Sequence, residues 1–226
     1  DIIYMFFNFF LFSIIIVGFY EAFNKLLYDL SGIASNSIAL IDLSTFSQIS
    51  QLIIFFITLD FFQWLTHIMM HRFDFLWKFH KVHHSVKEMG FAAHFHYHWM
   101  ENILYKPLKV FAVMLIGGFE PEQAYLIHFL TITIGHLNHS NIKLSYGALK
   151  YIFNNPIMHL HHHASSSSNN FKTGVNFAIS LSIWDYIFKT NYIPNENGDT
   201  KLGYEGDQSM AKSFFGQLFY GFKKGD

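Results

Sequence analysis

The sequence predicts an all-α protein, an integral-membrane bundle of about four hydrophobic helices carrying a histidine-rich helical cap on its cytoplasmic side. Three observations predict this class. The 226-residue chain is 51% hydrophobic and 19% aromatic with mean hydropathy +0.22, and 14% of it is charged, against about 25% in ordinary soluble domains. Apolar runs approach the roughly 20 residues that span hydrocarbon. The pattern H-x-x-H-H occurs as HKVHH at 80–84 and as HLHHH at 159–163. With 15 His in the chain, chance supplies roughly 0.07 copies of such a pattern.

The first element is the run IIYMFFNFFLFSIIIVGFY, placed at about residues 2–23. It is too long for a signal peptide and lacks the basic flank and small-residue cleavage site of one, so it reads as a spanning helix. A second span covers 49–70 and another 121–138. Between them, 103–117 is shorter and carries Lys106, Pro107 and Lys109 near its start, where long basic side chains snorkel to the interface. It ends at Gly117-Gly118 and forms a hairpin with 121–138 through GGFEPE. The run SSSS at 165–168 reads as a flexible loop.

Each crossing switches sides, so the spans place the clustered histidines on one face. Of the 15 Lys and Arg, only Lys25 falls in the loop assigned to the other face, and the positive-inside rule makes the histidine face cytoplasmic. Multi-pass insertion is the expectation. One domain, 1–226, holds a histidine core at about 50–195 and a polar tail at about 196–226. The chain opens at Asp1 rather than Met, which leaves its native start open. A net charge of -1 and the lack of a basic stripe set nucleic acid aside.

Cysteine is absent, so thiolate ligands, iron–sulfur clusters and disulfides are excluded, and any metal must use nitrogen and oxygen. Residues i, i+3 and i+4 of a helix share a face. His80, His83 and His84 therefore converge, as do His159, His162 and His163, while His67 and His71 form an i, i+4 pair. Eight imidazoles on three elements exceed the four ligands that one zinc uses, and two ions are the natural count. Ligand type suits Zn, Cu, Fe or Ni about equally. His136 and His139 are further candidates, as is His98, with Glu101 beside it as a ligand or an orienting carboxylate. His94 and His96 are weaker, His161 points away from its neighbours if the stretch is helical, and His128 reads as a packing residue. The abundant Phe and Tyr read mostly as lipid-facing and core packing.

The arrangement resembles the fatty acid hydroxylase/sterol desaturase superfamily of integral-membrane di-iron enzymes. Its boxes match THIMMH (His67, His71), HKVHH (His80, His83, His84), HLNHSN (His139, with His136 nearby) and HLHHH (His159, His162, His163). Asn155-Pro156 before the last box and WDYIFKT after it extend the resemblance to about residues 50–195. The departures are Lys189, where the family usually has Gly, and HWME at 98–101 in place of a histidine-proline-leucine-glutamate stretch. The resemblance implies two irons, dioxygen, a lipid substrate in the bilayer, and an external electron donor, typically cytochrome b5-like or ferredoxin-like; zinc can stand in for iron in purified protein, since the ligand type suits both. The implied reaction is hydroxylation or desaturation of an aliphatic C–H bond. No haem or flavin motif and no G-x-G-x-x-G after a strand is present, so electrons must come from a partner.

Two other readings compete. A metal carrier would need ionisable residues along its spans, and Asp60 is the main one present. A non-catalytic homologue would bind metal structurally, and Lys189 keeps that reading open.

Overall fold

The computed structural model describes residues 1–32, 39–118, 121–165, 174–193 and 200–222. They are mostly helical: α1 (Ile2–Ser31), α2 (Gln48–Arg72), α3 (Asp74–His84), α4 (Trp99–Met114), α5 (Pro121–Asn138), α6 (Pro156–His162), α7 (Ile183–Ile187) and α8 (Phe214–Leu218). Among the described residues one helix, α2, is long and apolar enough to cross a membrane.

α2 starts at Ser47, whose hydroxyl accepts the Ser50 N–H at 3.3 Å and satisfies one orphan amide of the first turn. It ends where Phe73 turns extended (φ -102°, ψ 118°). The same residue leads into α3, whose first turn carries Asp74, a charge suited to the positive end of the helix dipole. This tight corner folds α3 back so that the histidines of both helices meet.

α1 begins as expected but continues to Ser31 rather than ending near residue 23. Lys25, expected in a loop, lies in this helix and pairs with Asp29 at 3.1 Å. Gly32 (φ 65°) closes the helix, donating its N–H to the Tyr28 carbonyl at 2.8 Å in the left-handed cap that glycine favours. Asn8 anchors α1: its amide donates to the Phe95 and Tyr97 carbonyls (2.8 and 3.0 Å) and its oxygen accepts from Asn102 (3.1 Å). The opposite side of α1 exposes Phe6, Phe10, Ile14 and Val17.

The shorter segment expected at 103–117 forms α4 four residues earlier and accommodates Pro107 inside the helix. An all-α reading did not anticipate the two-residue parallel pair that follows it, β1 (Ile41–Asp42) with β2 (Ile116–Gly117). Here the approach to α2 and the exit from α4 satisfy each other's amides and carbonyls, with Leu43 N–H on Gly117 O at 2.9 Å. Gly118 (φ 76°) follows, where a Cβ would strike the Ser44 amide and the Asp42 carboxylate. The Lys106 and Lys109 side chains, residues 119–120 of the hairpin turn and 166–168 of the serine run lie outside the described residues.

α6 has Asn155 as N-cap, accepting the Met158 N–H at 3.0 Å, with Pro156 in its first turn, the arrangement favoured at helix starts. Beyond residue 196 the described stretch, expected as a polar tail, packs onto the cap. Met210 and Tyr220 cluster with Tyr4 and Val82, Asp207 pairs with Lys87, and Trp99 Nε1 donates to the Leu218 carbonyl at 2.9 Å. Recurring apolar residues in an otherwise polar stretch account for this packing.

Lys189 sits at φ 58°, a left-handed conformation that costs a residue bearing Cβ about 1–2 kcal/mol. A glycine, with no Cβ, would adopt this conformation without that cost. Lys189→Gly is expected to raise the melting temperature by roughly 2–4 °C, the shift that about 1 kcal/mol gives a chain of this size. Thermal unfolding of the two proteins in the same detergent checks it.

Candidate metal centre

Nine histidines converge from α2, α3, the end of α5 and α6. They form two groups, His67, His71, His80, His84 and His162 in one, and His83, His139, His159 and His163 in the other, with potential ligand atoms in each group within 4.8 Å of one another. All are buried except His71, which is intermediate. The H-x-x-H-H boxes do not map one to one onto the groups. The i, i+4 pair His80/His84 faces one group and His83 the other; the pair His159/His163 faces the second group and His162 the first.

Hydrogen bonds on the far side of the rings fix which nitrogen faces inward. The Nδ1 atoms of His67, His83, His139 and His162 donate to the carbonyls of Phe177 (2.6 Å), His96 (3.0 Å), Gly135 (2.7 Å) and Val175 (2.8 Å). His80 Nδ1 donates to Glu101 Oε2 at 3.1 Å. A carbonyl only accepts, so the Nδ1 atoms of His67, His83, His139 and His162 carry the proton and each of these neutral rings presents a bare Nε2 lone pair. Outer partners of this kind orient metal-binding imidazoles.

The inward atoms then create a problem that a cation solves. His83 Nε2 and His139 Nε2 lie 3.2 Å apart, and His139 Nε2 lies 2.9 Å from His159 Nε2. Between His83 and His139 neither atom has a proton to share, so two lone pairs face each other. His80 Nε2, His162 Nε2 and both nitrogens of His163 are buried with no hydrogen-bond partner among the described residues, a costly state for buried polar atoms. Protonation offers poor relief. Burial pushes His83 down to about 3, and burial plus neighbouring imidazoles holds His80, His84, His159 and His163 well below the ordinary histidine range. An imidazole-loving metal ion fits each group.

Depressed histidines also set the sign of an acid response. The unfolded chain binds protons near pH 6.5 that the folded cluster refuses, so stability is full above that value and falls as pH drops toward the folded values. Metal-free protein is expected to lose melting temperature steadily from pH 7 to pH 5, and acid should also release bound metal. Calorimetry at matched ionic strength checks the first effect.

His136 and His98 lie outside both groups. The His136 ring stacks on Phe91 (centroids 4.0 Å, 12°) and its Nδ1 donates to the Phe91 carbonyl at 2.7 Å. His98 packs between Phe79 and Trp99 and accepts the Met100 N–H at 3.1 Å. Glu101 serves as an orienting carboxylate, on His80 rather than beside His98. His94 lies against the second group, its Nδ1 3.2 Å from His139 Nδ1, and Gly135 makes room, because a Cβ there would collide with the His94 ring. His96 contacts Gln217 at 3.1 Å, and His161 points toward Tyr192, outside both groups. Asp60 accepts the Leu181 N–H (3.1 Å) and the Trp184 Nε1–H (2.9 Å). It ties α2 to the chain around α7, a structural use for the carboxylate that the carrier reading needs.

Sequence reasoning missed how Asp185 supports the centre. Its carboxylate accepts from Trp64 Nε1 (3.1 Å), Phe177 N (3.0 Å), Ala178 N (2.9 Å) and Thr190 Oγ1 (2.6 Å). Phe177 in turn offers its carbonyl to His67. WDYIFKT was the available signal, but the irregular segment around Phe177 that it braces was not.

A cavity of about 140 Å³ lies against the centre, lined by His67 and His80 from one group, His83 and His139 from the other, and by residues of α1, α4 and α5. That is close to the ~150 Å³ engineered cavity that holds benzene, so the space suits a short stretch of hydrocarbon.

Residues 52–190 match the family model described as fatty acid hydroxylase. The chain is 28% identical over 175 residues to an ornithine lipid hydroxylase from Rhizobium tropici, covering 77% of this chain and 51% of that protein. It is 27% identical over 146 residues to alkylglycerol monooxygenase from Homo sapiens (62% of this chain, 30% of that protein) and 25% over 135 residues to the Caenorhabditis elegans protein of the same name (58% and 25%). The chain thus spans about half the length of the first of these relatives and less of the others. No solved structure matches.

Proposed function

Because the chain belongs to the fatty acid hydroxylase family, we propose that it is a membrane-bound di-iron oxygenase that hydroxylates an aliphatic C–H bond of a lipid. The observation that carries this reading is the pair of buried imidazole groups opening on one cavity. His67, His71, His80, His84 and His162 would hold one iron; His83, His139, His159 and His163 would hold the other. The relatives' names, hydroxylase and monooxygenase, favour hydroxylation over desaturation. The balance is R–H + O2 + 2 electrons + 2 protons giving R–OH + H2O.

Bound iron supplies dioxygen activation and removal of hydrogen from the C–H bond. The chain's own residues do the rest. Nδ1 bonds to carbonyls and to Glu101 keep the Nε2 lone pairs aimed inward. Apolar lining such as Phe9, Met70 and Ile132 holds the alkyl segment and excludes water. Electrons arrive from a cytochrome b5-like or ferredoxin-like partner. The apolar α2 and the exposed apolar side of α1 support insertion in the bilayer, and the concentration of Lys and Arg on the histidine side of the sequence is the ground for placing the site in a multi-pass bundle on the cytoplasmic side.

Metal analysis by inductively coupled plasma mass spectrometry, on protein purified from iron-supplied cells without tag histidines, tests the reading. About two irons per chain, with hydroxylated product from an ornithine lipid or an alkylglycerol under reductant and dioxygen, is expected. A single ion, or two zincs with no product after iron reconstitution, would sink it.

A further inference from the structure

The cavity contains a polar group that the metal centre leaves unused. Gln63 is 6% exposed and lines the cavity, and its side-chain amide has no hydrogen-bond partner among the described residues. Buried amides are nearly always paired, because desolvation without compensation is costly. Three polar neighbours are engaged elsewhere through the atoms named: the Tyr97 hydroxyl donates to Asn102 Oδ1 (3.1 Å), the Tyr105 hydroxyl reaches the Gln63 backbone carbonyl (3.5 Å), and Glu101 Oε2 takes His80 Nδ1 (3.1 Å). Gln63 therefore stands as an amide, able to donate and accept, in a cavity whose apolar lining includes Phe9, Met70, Phe95, Ile132 and Ile179.

Its position relates it to the reacting carbon. Gln63 and His67 are four residues apart on α2, one helical turn, about 6 Å along the axis. We propose that Gln63 determines specificity by hydrogen-bonding a heteroatom of the substrate. The substrate class is then a lipid with an ether, ester, amide or hydroxyl group within about one turn, roughly five bonds, of the carbon oxidised. A purely hydrocarbon segment would leave the amide stranded. This inference rests on the oxygenase reading above.

The test uses the full metal-loaded chain in lipid nanodiscs with two probes, 1-O-hexadecylglycerol and hexadecane, measuring retention of each labelled probe and the carbon oxidised. In Gln63→Leu, retention of hexadecylglycerol should fall about fivefold, the effect of losing one hydrogen bond, while hexadecane retention stays unchanged and oxidation of the ether lipid spreads along the chain. Metal content of about two per chain confirms that the variant is folded; Gln63→Met replaces it otherwise. Equal hexadecylglycerol retention by wild type and variant overturns the proposal, whether or not either protein turns over. So does wild-type oxidation more than about five bonds from the ether oxygen. Selective loss of retention with no oxidation of either probe supports the Gln63 contact and counts against the oxygenase reading instead.

Discussion

On the proposed di-iron reading, replacing His83 with Ala is expected to take metal content from about two ions per chain to about one and to remove the proposed hydroxylation. His83 belongs to the smaller group, with His139, His159 and His163, so its loss leaves three imidazoles and an empty space where the fourth ring stood. Disturbing only an outer-shell partner costs 10–100-fold in metal affinity or activity, and deleting a ligand should exceed that. His162→Ala removes one of five and should lower metal content less while still abolishing turnover, because that ring also ties the centre to the Val175 carbonyl at 2.8 Å. His161→Ala is the control from the same helix, with both ions and most activity retained. Mass-spectrometric metal counts and product formation on the three variants decide the matter. Full metal occupancy in His83→Ala, or equal damage from His161→Ala, would refute the ligand assignment.

Asp185→Ala is expected to be the most destabilising single change away from the histidines, by about 3–4 kcal/mol. Four buried donors converge on this carboxylate, from Trp64, Phe177, Ala178 and Thr190, and alanine leaves all four unpaired. Burial pushes the Asp185 carboxyl up from its ordinary range while these bonds oppose the shift. The melting temperature should fall by roughly 6–16 °C. Metal binding should weaken too, since Phe177 would lose its brace and His67 its orienting carbonyl. Asp185→Asn keeps one acceptor oxygen and should fall between the two. Thermal unfolding with and without metal measures both effects; an unchanged melting temperature in Asp185→Ala would refute the bracing role.

The histidine boxes were legible because their spacing is a local property. Residues at i, i+3 and i+4 share a helix face whatever lies opposite, and α2, α3 and α6 form where the boxes sit. His136 and His98 passed the same spacing test, yet their rings settle on Phe91 and between Phe79 and Trp99. Spacing identifies a shared face, but not what that face meets. The length of α1 was misread because an uninterrupted apolar run was taken as the limit of the helix, whereas its last turns mix Asn24, Lys25 and Asp29 with leucines and end at the Gly32 cap.

The sequence by itself determined the chemistry: no thiolates, abundant imidazole in helical repeats, and an apolar chain around them. Only the tertiary structure decided how that imidazole is divided. The corner at Phe73 and the crossing of α6 send His80 and His84 to one side with His162, and His83 to the other with His159 and His163. Backbone carbonyls from residues remote in sequence then choose which nitrogen faces inward, as Phe177 does for His67 across 110 positions. The physical reason is that helix periodicity is set by local backbone geometry, whereas ligand grouping and tautomer depend on contacts between distant segments.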